Sequence, residues 1–174
     1  MTMIRVDIET VVIGGGPVAS LVVLKPRSNS RVEPLPIRIG TVEATAIGMG
    51  VEHPGAERPM THDLLGQAIT GLGATITSVA ITKVEGTTFF AEVNLTTQSG
   101  CHLSLDARPS DAIALAVRTK SPIFVAESVM NTASYPDFDA VKREQDRLDI
   151  QEFDKFISTL SPEDFTTGAG SSRP

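Results

Sequence analysis

The chain is poor in cysteine. Of its 174 residues only Cys101 is one, so no internal disulfide forms and cysteine alone builds no zinc site. That usage fits a reducing compartment, and a cytoplasmic setting is expected. Long apolar runs are missing too. No stretch approaches the roughly 20 apolar residues that span a bilayer. The opening MTMIRVDIET is charged and alternating, without the apolar core of a signal peptide, and no export is expected. Aromatic residues make up 5% of the chain, and nowhere do they interleave with basic residues as on a single-strand-binding surface. An excess of basic residues is absent as well, since the formal net charge is −6. Residues 1–126 hold eleven acids and ten bases, and residues 127–174 hold ten and five. This balance excludes nucleic-acid binding by bulk charge, so any phosphate would be met by a local cluster or a metal ion.

What is present reads as a globular α+β chain. Hydrophobic residues make up 41%, enough for one domain with a real core. IRVDIETVVIG alternates apolar and polar residues and predicts a strand, as does SLVVLKP. Between them GGGP and Ala19 imitate the G-x-G-x-x-A spacing of a dinucleotide-binding turn. That turn needs a long helix directly after it, and the β-branched run ending at Pro26 is no helix, so a hairpin is expected. LPIRIG (35–40) predicts a short strand. TVEATAIGMGV (41–51) predicts a helix capped by Thr41, with Ala46, Ile47 and Val51 on one side. THDLLGQAITGLG (61–73) predicts a helix capped by Thr61, with Leu64, Leu65, Ala68, Ile69 and Leu72 as its apolar stripe. Residues 74–86 and 87–100 predict a hairpin turning at EGT. Residues 101–107 predict a strand, 109–120 a helix and 122–127 a last short strand. Residues 131–174 read as an acidic tail with one amphipathic helix over 152–160 and a disordered end, leaving 1–130 as the domain.

The order of three strands and then a helix occurs twice, and AIGMGV (46–51) aligns with AIALAV (112–117) without a gap. We read an internal duplication of that unit. It implies a two-layer α+β fold of mostly antiparallel sheet with helices against it.

The chemistry gathers at two helix starts. Asp106, Arg108, Ser110 and Asp111 crowd the strand-to-helix turn of DARPSDAIALAVR, while the aligned turn of the first half carries Gly40, Val42, Ala44 and Thr45, with Glu43 nearby. Every one of these residues has a structural reading: Ser110 or Asp111 as a cap, Asp111 favoured by the helix dipole, Arg108 paired with either acid. The same set has a functional reading, because free amides, an arginine and two carboxylates can hold a phosphate or a Mg²⁺ ion. His62 and Asp63 open the other helix. His62 is suited to moving protons and Asp63 to orienting it or binding metal, or both are ordinary first-turn residues. His53 and His102 have weaker cases, although His102 shares a strand face with Asp106.

The segments LPIRIGTVEATAIG, RPMTHDLL, LGATITSVAITKVEGTTFFAEV and DARPSDAIALAVR…PIFVAE, in that order over about residues 5–130, resemble the bifunctional nuclease domain family. Arg38 stands where the family usually has a bulky apolar residue. The resemblance implies an α+β fold, action on DNA and RNA, self-association (most simply a dimer) and assistance by Mg²⁺ or Mn²⁺. The family's polar positions fall on Glu43, Thr61, His62, Asp63, Asp106, Arg108, Ser110 and Asp111. The expected roles follow from what phosphodiester hydrolysis needs. Asp106 and Asp111, with Glu43 or Asp63, hold the metal. Arg108 clamps the phosphate beside Ser110 and Thr61, and His62 is the general acid or base. The alternative is a non-catalytic module of the same fold that binds an anion or a protein partner.

Overall fold

Alternation along the chain becomes one mixed sheet. A computed structural model describes residues 2–15, 18–27, 33–52, 58–134, 150, 151 and 155. The chain divides into a unit Met1–Pro136 and a unit Asp137–Pro174, and the elements below belong to the first. Strands β1 (Met3–Val12), β2 (Ser20–Pro26) and β3 (Leu35–Ile39) form one antiparallel meander. Strands β4 (Ala74–Glu85), β5 (Thr88–Thr97) and β6 (His102–Ala107) form another. Between them lies β7 (Ile123–Ala126), antiparallel to β1 and parallel to β4. The order across the sheet is β3-β2-β1-β7-β4-β5-β6.

The glycine-rich segment is a hairpin connection, as expected. Val12 pairs with Leu21 in antiparallel register on its far side, so no helix is available to cradle a pyrophosphate. The turn between β4 and β5 is two residues long, bracketed by the pair Glu85↔Thr88, and its Gly86 adopts φ +58°. Glycine takes that left-handed conformation without steric cost.

Helices α1 (Thr41–Glu52), α2 (Thr61–Gly71) and α3 (Pro109–Thr119) carry the polar starts. In α3 the residues Ala112, Ile113, Ala114, Leu115 and Ala116 are all buried. Five consecutive positions exceed one full turn, so the helix is enclosed on every side over this stretch. It packs against α1, α2, β4 and β5. The core around it joins Leu24, Leu35, Ile37, Ile47, Val79, Ile81 and Val125, each worth roughly 1.5–3 kcal/mol of burial.

Several expectations need correcting. Thr41 does not cap α1. The first intrahelical bond runs from the Ala44 amide to the Gly40 carbonyl, while the Thr41 hydroxyl accepts from Ser20 Oγ. Met60, not Thr61, occupies the cap position of α2. The apolar stripe of α2 is largely outside the core: Gly66 is its only buried residue, Leu64 and Leu65 are exposed, and Leu72 is 87% exposed. Val51 is also exposed. A fourth helix, α4 (Glu127–Ala133), crosses residue 130 and buries Val129 and Met130. The expected helix over 152–160 and the disordered end lie outside the described residues, as does His53, apart from helical Lys155. The element order does repeat, three strands and then a helix. That likeness of order does not establish a duplication.

Candidate active site

Three helix starts converge. Glu43 is the third residue of α1, His62 the second of α2, and Asp111 the third of α3. Arg108 stands at the N-cap position of α3, with its backbone extended and its carbonyl accepting from the Asp111 and Ala112 amides. Pro109 at the first helical position suits the entry, since its missing N–H would find no partner there anyway. First-turn acids such as Glu43 and Asp111 are stabilised by the positive end of their own helix.

The side chains then reach across. Arg108 Nε donates to Asp111 Oδ2 at 2.7 Å and Nη2 to Asp111 Oδ1 at 3.2 Å, a bidentate fork. Arg108 Nη1 donates to Glu43 Oε1 at 3.3 Å, joining α3 to α1. His62 Nε2 donates to Asp111 Oδ1 at 3.3 Å, joining α2 to α3. An ionised carboxylate only accepts, so Nε2 carries a proton, and in the neutral ring Nδ1 is the acceptor. The His62 side chain is 16% exposed, whereas that of Arg108 is 67% exposed. The cluster therefore has a sheltered imidazole and an open guanidinium. Partial burial pushes the Asp111 carboxyl up, but the hydrogen bonds from Arg108 and His62, with their charge, outweigh it and hold the group below its ordinary value. The hydrogen bond and charge of Asp111 likewise raise the Arg108 guanidinium, which stays charged.

Among the described residues the other expected residues make no side-chain hydrogen bond or ion pair with these four. Asp63 points its carboxylate to its own helix start and into the interior. Its Oδ2 accepts from the Met60 amide at 2.9 Å, and its Oδ1 lies 3.1 Å from Arg118 Nε. Asp106 is exposed on β6, paired across the ladder with Glu92. Ser110 is buried and Thr61 is exposed. The expected metal set of Asp106, Asp111 and Glu43 is not assembled. Among the described residues no three His, Cys, Asp or Glu side chains form a group able to hold a metal ion. Arg108 bridges Glu43 to Asp111, so a cation already spans those two carboxylates.

Sequence reasoning passed over Arg118. Its Nη1 donates to the Ala114 carbonyl at 2.9 Å and its Nε meets Asp63 as a charge, though not aimed well enough for a hydrogen bond. The available signal was a lone basic residue closing an otherwise alanine-rich helix.

A mixed sheet wrapped on one enclosed helix, with a histidine, a carboxylate and an arginine gathered at helix starts, defines an α+β protein with a candidate acid–base and anion-binding cluster. The chain belongs to the bifunctional nuclease domain family, whose model matches residues 22–137. It is also similar to two proteins of Mycobacterium tuberculosis, the uncharacterized protein MT1877 of strain CDC 1551 / Oshkosh and the uncharacterized protein Rv1829 of strain ATCC 25618 / H37Rv. Each is 36% identical over 142 residues, covering 75% of this chain and 80% of the relative. Among the described residues no helix is long and apolar enough to cross a membrane.

Proposed function

We propose that the chain hydrolyses phosphodiester bonds of DNA or RNA at the cluster His62, Asp111, Arg108 and Glu43. The observation that carries the reading is the convergence of these four residues from three helices, held by contacts 49 and 65 residues apart in sequence. Arg108 is the open cation. Its delocalised charge and planar donors suit a phosphate, which would draw it away from Glu43. Asp111, ionised and hydrogen-bonded, fixes the His62 tautomer and stabilises the ring when it gains a proton. His62 Nδ1 then takes a proton from the attacking hydroxyl or water, and the same ring returns it to the leaving oxygen. Glu43 positions Arg108. Among the described residues no group of three His, Cys, Asp or Glu side chains gathers to hold Mg²⁺ or Mn²⁺, and no step is assigned to one.

The rival reading is a non-catalytic module binding an anion or a protein. It is favoured by one observation: Arg108 is already committed to Asp111 and Glu43. Cleavage of labelled single-stranded DNA, duplex DNA and RNA, with Mg²⁺, with Mn²⁺ and with EDTA, separates the two. Activity should co-elute with the folded wild type. It should fall about 10²–10⁴-fold in His62→Ala, the usual worth of a positioned acid–base group, and fall in Arg108→Ala. Equal cutting by wild type and by a folded His62→Ala protein would defeat the proposal.

A further inference from the structure

Strand β6 ends the sheet and is open on both faces. From His102 to Asp106 every residue is exposed, whereas the opposite edge strand β3 buries Leu35 and Ile37. Leu103 and Leu105 pair across the ladder with the buried Leu95 and Val93, so they lie on the core-facing side of the sheet, yet they are 45% and 47% exposed. Edge strands are normally blunted by lysine, proline or a bulge. HLSLDA has neither residue, and its register with β5 runs from Thr96↔His102 to Ala91↔Ala107 without a shift.

The backbone groups at this edge have a defined parity. The Thr97 amide donates to the Cys101 carbonyl at 2.9 Å, so Cys101 faces β5. Alternation then turns Leu103 and Leu105 toward β5 as well, and His102, Ser104 and Asp106 turn their N–H and C=O outward. Asp106 stands opposite Glu92, a like charge, and among the described residues it makes no ion pair or side-chain hydrogen bond. His102 Nδ1 is hydrogen-bonded to Thr96 Oγ1 at 3.0 Å, which leaves its Nε2 free for a partner.

We propose that β6 pairs with β6 of a second copy of this chain, antiparallel about a two-fold axis through Ser104. In this register each His102 faces the partner's Asp106 on one side of the sheet, and each Leu103 faces the partner's Leu105 on the other. The outward groups of His102, Ser104 and Asp106 meet their own kind, as an antiparallel ladder requires. A one-residue slip sets outward groups against inward ones. A two-residue slide sets Asp106 against Gly100 or His102 against Arg108, and both His102–Asp106 contacts are lost. The partner's His102 brings its free Nε2 to the Asp106 carboxylate, which has no side-chain partner among the described residues, whereas Glu92 accepts from Ser104 Oγ at 2.9 Å. This is a smaller contact than the roughly 800 Å² per partner of a standard interface, so the dimer dissociates on dilution. The inference is independent of catalysis.

Sedimentation velocity of the full chain over a concentration series tests it. The weight-average mass should rise from 18.5 kDa toward twice that value. His102→Asp sets two carboxylates across the axis and Asp106→Lys removes the acceptor facing His102, so each should weaken association about tenfold or more, and the double variant, Asp against Lys, should recover it. Ser104→Pro removes an outward N–H at the axis that β5 does not use, so the fold, checked by circular dichroism, should persist while the dimer is lost. The proposal is overturned by a wild type that stays monomeric throughout, by association unchanged in the single variants and in Ser104→Pro, or by a double variant no better than the singles.

Discussion

Removing the Asp63 carboxylate should destabilise the fold, and its size can be worked from two contacts. The first is local: Asp63 Oδ2 accepts the Met60 amide at the start of α2, and losing such a cap costs about 1 kcal/mol. The second is tertiary: the Arg118 side chain is 8% exposed and its Nε lies 3.1 Å from Asp63 Oδ1. Breaking a buried pair from one side typically costs about 3–5 kcal/mol, because a charge stays behind in a poorly solvated place. Here the lower end applies, since the Asp63 side chain is 30% exposed and Arg118 Nη1 keeps the Ala114 carbonyl. The sum for Asp63→Ala is roughly 3–5 kcal/mol. For a chain of this length each kcal/mol moves Tm by about 2–4 °C, so a fall of about 10 °C is expected.

Thermal unfolding followed by circular dichroism reads this directly. The double variant Asp63→Ala with Arg118→Met removes the stranded charge as well and should recover most of the loss, leaving about the 1 kcal/mol of the missing cap. A Tm within about 2 °C of wild type for Asp63→Ala, or a double variant no more stable than the single, refutes the reasoning. A variant of unchanged Tm that lacked the proposed activity of the wild type would return Asp63 to the catalytic role its place beside His62 suggests.

Asp111 should carry part of the acid sensitivity. Its folded carboxyl titrates below the ordinary 3.8, so its contribution is present above that value and lost as pH falls through the lowered one. Denaturant midpoints across the acid range should therefore fall less steeply for Asp111→Asn than for wild type. Gly14→Ala should destabilise by about 2 kcal/mol or more, because an added Cβ would lie 2.1 Å from the Val18 carbonyl oxygen, a backbone atom, within the β1–β2 connection. An unchanged midpoint would count against that geometry. Leu72→Ser should change stability by about 0.5 kcal/mol or less, as expected of an exposed site, and a loss typical of a core leucine would put α2 back in the core.

The sequence made legible what is settled over a few residues. β4, β5 and their turn could be read because period-two alternation and one glycine at positive φ are local facts, and α3 because Pro109 and the alanine-rich run specify a buried helix. The apolar stripe of α2 was misread for a related reason. Periodicity shows that a helix has an apolar face without showing what covers it, and here Leu64, Leu65 and Leu72 face solvent in this chain. The short α4 escaped because seven residues carry less than two full heptads of pattern. The site divides along the same line. That Glu43, His62 and Asp111 would each open a helix was visible, because the dipole acts within one turn. Their meeting was not, because α1 and α2 reach α3 only through packing. The small side chains Ala112, Ala114 and Ala116, with Gly50 of α1 leaving room for Arg118, let those helices approach. Asp106 is the contrasting case. Two residues from Arg108 in sequence, it belongs to a strand, exposed and paired across the ladder with Glu92, and among the described residues its side chain makes no hydrogen bond or ion pair with the cluster.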